Sequence, residues 1–286
     1  MSIYITDDTG KLYPLSGGTA AQCSNPNLLI NGDFRVNQRG QTSYTGGNTY
    51  CVDRWYLQEN TLTFDVTTKT LTNNGTTNAY MYQKSEDLSD MLGKDITISA
   101  KIDGVVYSRV ITFPTTLPSS DMAIGNGFGF NKGVVYIYYY SGAKVFGYVL
   151  QLNAGQSIKL DYCKIEQGTI ATPNILRPYA EELALCQRYY LNIKEMYNAM
   201  GVAYATGTSG ASVNITTPVT MRTPKTISFN VLYAYRSGQT FEVSDMSGIL
   251  GNPTNSIRVR VVATSDYTIG QVINLILTGT IDAEIY

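Results

Sequence analysis

Paired carboxylates are the one catalytic chemistry this sequence leaves open. Histidine is absent from all 286 residues. That removes Ser-His-Asp and Cys-His catalysis, histidine-bound zinc and histidine pH switching. Glu86, Asp87 and Asp90 lie together, as do Glu181 and Glu182. Glycoside hydrolysis needs two carboxyls roughly 5–10 Å apart across a sugar. Sequence neighbours on a helix do not face each other, so both groups read as solvated and the chain as a non-enzyme. The four cysteines, Cys23, Cys51, Cys163 and Cys186, include no C-x-x-C pair. Their spacing fits neither structural zinc nor a disulfide framework, and they read as free, mostly buried thiols. Binding chemistry is better represented. Tyr136, Tyr138 and Tyr140 project from one face of an alternating run. A sugar offers apolar C–H faces to an aromatic ring and hydroxyls to a phenol. The same rings could instead pack under a helix or against a neighbouring subunit. Arg258 and Arg260 share a face that could meet an anionic polymer or only water.

Strands must position these groups. Leu62, Phe64 and Val66 share one face, and Ile96, Ile98, Ala100 and Ile102 another. The latter run ends at Asp103-Gly104, from which 105–113 returns as a hairpin partner. Val135, Ile137 and Tyr139 alternate with the three tyrosines, and Ile158, Leu160 and Tyr162 alternate with Lys159, Asp161 and Cys163. Phe34 and Val36 have the same alternation after the turn Asn31-Gly32-Asp33. Trp55, the only tryptophan, reads as a core anchor or, alternatively, a ligand platform. The Gly-, Ser- and Pro-rich segment 115–132 reads as a surface loop. Residues 27–176 thus form a β-sandwich. Residues 178–192 are the one convincing helix: Pro178 suits the first turn, Glu181 and Glu182 favour the N-terminal end of the dipole, and Tyr179, Leu183, Cys186 and Tyr190 make an apolar stripe. That helix sits in a connector, 177–199. Strand periodicity resumes in 200–286, at Ile227 to Tyr235, Ile257 to Ala263 and Ile273 to Ile285, a second, smaller sandwich. Residues 1–26 hold one short hairpin, either a loose terminus or an attachment arm. The fold class is therefore all-β, two sandwiches joined by one α-helix behind a short N-terminal arm.

Composition bounds the partners. Hydrophobic content is 43% and charged content 15%, too apolar for a disordered chain. A net charge of −1 gives no bulk pull towards nucleic acid or anionic membrane. The 23 tyrosines against 8 phenylalanines favour half-wet sheet surfaces. The first residues have no signal-peptide pattern, and no apolar run reaches transmembrane length, so no membrane insertion is expected.

NLLINGDFRVNQRG at 27–40, closing on VDRW at 52–55, resembles the opening of a β-sandwich module of bacteriophage tail-fibre and receptor-binding proteins. More distantly it is similar to jelly-roll carbohydrate-binding modules. The resemblance continues through LGKDITISAKI at 92–102, LNAGQSIKLDYCKIEQGTIATP at 152–173 and RPYAEELALCQRYY at 177–190, with DAEIY at 282–286 a weaker match. It implies a jelly-roll-like first sandwich and a virion protein assembled in a bacterial cytoplasm. Such a protein would be a homotrimer, joined to other virion proteins by its N-terminal arm and recognising a host surface glycan through its sandwiches. A structural head-fibre or decoration role, or a glycan-degrading enzyme, are the alternatives. In the carbohydrate modules a structural calcium is often held near the first strand and by a last-strand Asp. Here that gives Asp33 and Asp161, but Arg35 replaces the acidic residue expected after NGDF, and a cation there opposes Ca²⁺.

Overall fold

The computed structural model describes residues 24–196, 210–222, 226–236, 256–263 and 272–286, with shorter stretches at 4–6, 12–14, 203–205, 239–241, 243–245 and 249–250. In chain order the strands begin with β1 (Tyr4–Thr6) and β2 (Leu12–Pro14), an antiparallel pair. The next body is built from β3 (Ser43–Thr45), β4 (Thr49–Tyr50), β5 (Tyr56–Leu57), β6 (Leu62–Asp65), β7 (Thr70–Asn73), β8 (Ala79–Ser85), β9 (Asp95–Ile102), β10 (Val105–Thr112), β11 (Met122–Phe130), β12 (Gly133–Tyr140), β13 (Val145–Leu152) and β14 (Ser157–Gln167). Helix α1 (Tyr179–Gln187) leads to β15 (Tyr190–Met196), β16 (Ala203–Ala205), β17 (Gly210–Thr216), β18 (Thr226–Arg236), β19 (Gln239–Phe241), β20 (Val243–Asp245), β21 (Ile249–Leu250), β22 (Ser256–Ala263) and β23 (Val272–Asp282).

The all-β class follows from how these strands pair. Two six-stranded antiparallel sheets, ordered β10-β9-β14-β7-β6-β3 and β11-β12-β13-β8-β5-β4, pack face to face as a sandwich. The C-terminal strands form a nine-stranded antiparallel body in which β23 pairs with β15, β16 and β18. Alternation decides which side chains meet in the sandwich. Ile96, Ile98, Ala100 and Ile102 point in from β9, and Val135, Ile137 and Tyr139 from β12. The Asp103-Gly104 turn has φ of 50° and 81°, the left-handed pair that a two-residue hairpin needs, and β10 returns on β9 in the expected register. Trp55 is a core residue, fully buried with Phe34 at 5.0 Å and Tyr148 at 6.1 Å between ring centroids. Its indole N–H donates to Asn31 O at 2.8 Å.

Four expectations change. Phe34 and Val36 belong to a buried turn rather than a strand: φ is +56° at Asn31 and +64° at Phe34, and these backbones hydrogen-bond within the turn and to 53–55. The presumed loop 115–132 contains β11, whose glycines allow a bulge between Ile124 and Phe128. A Cβ on Gly127 would lie 1.9 Å from Val135 O. In β14 a second irregularity falls between Leu160 and Tyr162, so Cys163 and Ile165, not Tyr162, join Ile158 and Leu160 in the core. The helix stops at Gln187, and Tyr190 starts a strand on β23. Its stripe is not the predicted one, since Tyr179 is exposed while Glu182 and Cys186 are buried.

Candidate functional site

The charged residues converge on a buried junction where 27–55, α1 and the last five residues meet. Asn31 is its hub. Its side-chain amide donates to Val36 O at 2.8 Å and Asp53 O at 3.0 Å, its carbonyl accepts from Val36 N at 2.9 Å, and its own N–H donates to Glu182. Glu182 was expected in solvent; instead it is buried against Arg177 at 3.1 Å and Arg35 at 3.7 Å. Arg54 and Glu284 form a fully buried ion pair, with the Arg54 guanidinium stacked 3.5 Å over the Tyr189 ring. Arg39 bridges Asp53 at 3.3 Å and Glu284 at 3.6 Å. Burial pushes the Asp53 carboxyl up to about 6, against the pull of Arg39. A second buried pair, Lys164 and Glu166 at 3.1 Å, is closed over by Thr172 and Ser24. Asp53, Glu166, Glu182 and Glu284 each face a cation, so these buried carboxylates are already used as structural ties. Glu86 is likewise tied to Arg222 and Arg188.

Asp33 and Asp161 are each matched by a cation. Asp33 sits 3.4 Å from Arg35, and Asp161 lies 3.3 Å from Lys101. Among the described residues no group of three His, Cys, Asp or Glu side chains could hold a metal ion. Cys51, Cys163 and Cys186 are free and buried, and burial pushes the Cys51 and Cys163 thiols up to about 12, which leaves them unreactive. Cys23 lies outside the described residues, as do the side chains of Arg258 and Arg260, whose backbones pair with β17.

The tyrosines form the open site. Cross-strand register places Tyr136 beside Val149, Val149 beside Tyr82, Tyr82 beside Tyr56 and Tyr56 beside Tyr50, a row across five strands on the outer face of the second sheet. One residue-pair further along, Tyr138 faces Gly147. A Cβ there would strike the Tyr140 ring at 2.7 Å, so the glycine lets Tyr140 lie across β13. Tyr138 and Tyr140 meet edge-on at 5.0 Å, Tyr140 and Tyr82 lie 5.8 Å apart, and Tyr82 stacks on Tyr56 at 4.8 Å. The Lys84 ammonium lies 4.6 Å from the Tyr140 ring centroid, a cation–π contact.

Tyr136, Tyr138 and Tyr140 are half-buried and line an open groove of about 390 Å³ with Tyr80, Tyr82, Gln58 and Asp121. Tyr140 also packs against a buried cluster that contains Val145, Cys186 and Tyr189, so this ring is both groove wall and core neighbour. Burial pushes the Tyr136 phenol up to about 12 and raises those of Tyr82 and Tyr140, so all three stay neutral and can donate as well as accept. Ser141 donates its hydroxyl and, at 2.7 Å, its amide to Asp121 Oδ1, which holds that carboxyl below its usual range. Tyr80, Tyr82, Gln58 and Asp121 were missed from the sequence. The alternation of Tyr80 and Tyr82 with Ala79 and Met81 was a signal of the same kind, but only the strand order β12-β13-β8 brings the two runs to one face. Compared with family models, curated proteins and solved structures, the chain matches none.

Proposed function

We propose that this chain is a non-catalytic glycan-binding protein of the phage virion fibre or receptor-binding type. The supporting observation is the open tyrosine groove, where aromatic faces, neutral phenols, an amide and an ionised carboxylate converge. Stacking on C–H faces gives affinity, and the polar groups select hydroxyl orientation. The paired state of the carboxylates at the junction fits a binding rather than a hydrolytic role. In this reading the N-terminal arm joins the protein to other virion proteins, and the chain assembles as a homotrimer. Light scattering on the intact chain that returns a stable monomer at micromolar concentration would count against the assembly.

The groove is tested with Tyr138→Ala, by glycan-array binding and thermal melting side by side. The expected result is a loss of ~1–3 kcal/mol in glycan affinity, the scale of an aromatic anchor, with melting within about 2 °C of the unmodified protein. A lower melting temperature with unchanged binding would return the ring to a packing role.

A further inference from the structure

A larger cleft, about 520 Å³, opens where the first sandwich meets the C-terminal body, and the groove reading makes no use of it. Arg39 and Tyr50 line it from the sandwich, and Tyr190, Thr280, Asp282 and Tyr286 from the other side. The Arg39 side chain is only 11% exposed. Its guanidinium lies 3.8 Å over the Tyr190 ring and 5.3 Å from that of Tyr50. Among the described residues its Nη2 makes no hydrogen bond, with Glu284 Oε1 still 3.6 Å away. That atom is closed off from solvent and turned to Glu284, so Arg39 serves the cleft as a fixed wall held on the Tyr190 ring.

Charge sets the ligand class. Arg39 and Arg54 are matched by Asp53 and Glu284 behind the wall, while Asp282 adds a carboxylate at the lip, accepting from the Tyr286 hydroxyl at 2.6 Å. That balance disfavours phosphate, sulfate or a carboxylate ligand. Ring faces, threonine hydroxyls, the Gln41 amide and one carboxylate acceptor instead suit a neutral molecule rich in hydroxyls. We propose that the cleft is a second carbohydrate site, taking a neutral sugar unit, and that occupancy clasps the two bodies together. The inference rests on the groove reading only for the ligand class.

Isothermal calorimetry and melting would use neutral mono- and oligosaccharides of glucose, mannose, galactose and their N-acetyl forms. The proteins are the full chain, Tyr138→Ala, Tyr286→Ala and Thr49→Trp, the last filling the cleft from an exposed rim position. Two sites per chain are expected. Tyr286→Ala and Thr49→Trp should each weaken the cleft site about tenfold or more and leave the groove site in place. Sugar should raise the melting temperature of Tyr138→Ala through the cleft, and should raise that of Thr49→Trp less than that of the unmodified chain, since only the groove is left to bind it. One site per chain, lost in Tyr138→Ala and untouched by both cleft variants, overturns the second site while the groove stands. A single site lost in the cleft variants and kept in Tyr138→Ala upholds the cleft and removes the groove. No sugar binding by any of the four proteins overturns both.

Discussion

At the junction, Asp53, Arg54, Glu182 and Glu284 are almost wholly out of water, and each carboxylate faces a guanidinium. On the outer sheet face, Tyr136, Tyr138 and Tyr140 are half-buried, touching one another and the aromatic residues of the neighbouring strands. The residues that look most chemical in the sequence are therefore the ones tied into structure, and the bland aromatic ones are left open. Desolvation explains the division. A buried charge persists only when it is paired and hydrogen-bonded, so its bonding capacity is already used. A half-wet phenol keeps a face and a hydroxyl for a ligand at little cost to the fold.

Substitutions at the two regions should separate in stability. Glu284→Ala leaves Arg54 buried without its partner and should destabilise by about 3–5 kcal/mol in urea unfolding. Replacing both residues with apolar side chains of similar volume should recover most of that loss; a double variant as unstable as the single one would mean that the pair contributes more than mutual neutralisation. Asn31→Ala ranks next, at about 2–4 kcal/mol. It strands buried backbone partners at ~1–3 kcal/mol each and puts alanine at a left-handed φ. An effect below about 1 kcal/mol there would show that water replaces the amide and that the junction is wetter than its geometry indicates.

The pH response sharpens the contrast further. The folded Asp53 pKa, about 6, lies above its ordinary value of 3.8. The protonated form is thus favoured by folding: this contribution is full below about 4 and is lost as pH rises through about 6. Urea unfolding from pH 4 to 7 should show that decline in the unmodified protein and a flatter profile in Asp53→Asn. The smallest effect belongs to the outer face, where Tyr138→Ala should cost less than about 1 kcal/mol, against ~3–5 for a core aromatic. A cost of core size, measured in the same urea series, would erase the distinction between the regions.

Local pattern carried the sandwich. Period-two alternation in 96–102 and 135–140, and turn chemistry at Asp103-Gly104, each depend on neighbours in sequence, and each appears where expected. The misreadings have separate physical origins. β11 looked like a loop because glycine has low strand propensity, yet its glycines admit close backbone approach at a bulge. Phe34 looked like a strand residue because alternation does not report φ. Glu182 looked solvated because its pairing with Arg177 says nothing of burial; Asn31 and Arg35, which close over it, are about 150 positions away.

The sequence alone determined the class of structure, the inward faces of the main strands, the exclusion of histidine chemistry and the outward run Tyr136, Tyr138, Tyr140. Each of these needs only residue type and local spacing. Tertiary structure decided everything that depends on distant partners. It set β8 two strands from β12, with β13 between them, so that Tyr80 and Tyr82 completed the groove. It brought Glu284 to Arg54 across 230 positions, and it opened the cleft between two bodies. Strand order and long-range charge pairing are free-energy choices among many arrangements of one local pattern, and are settled only when the whole chain packs.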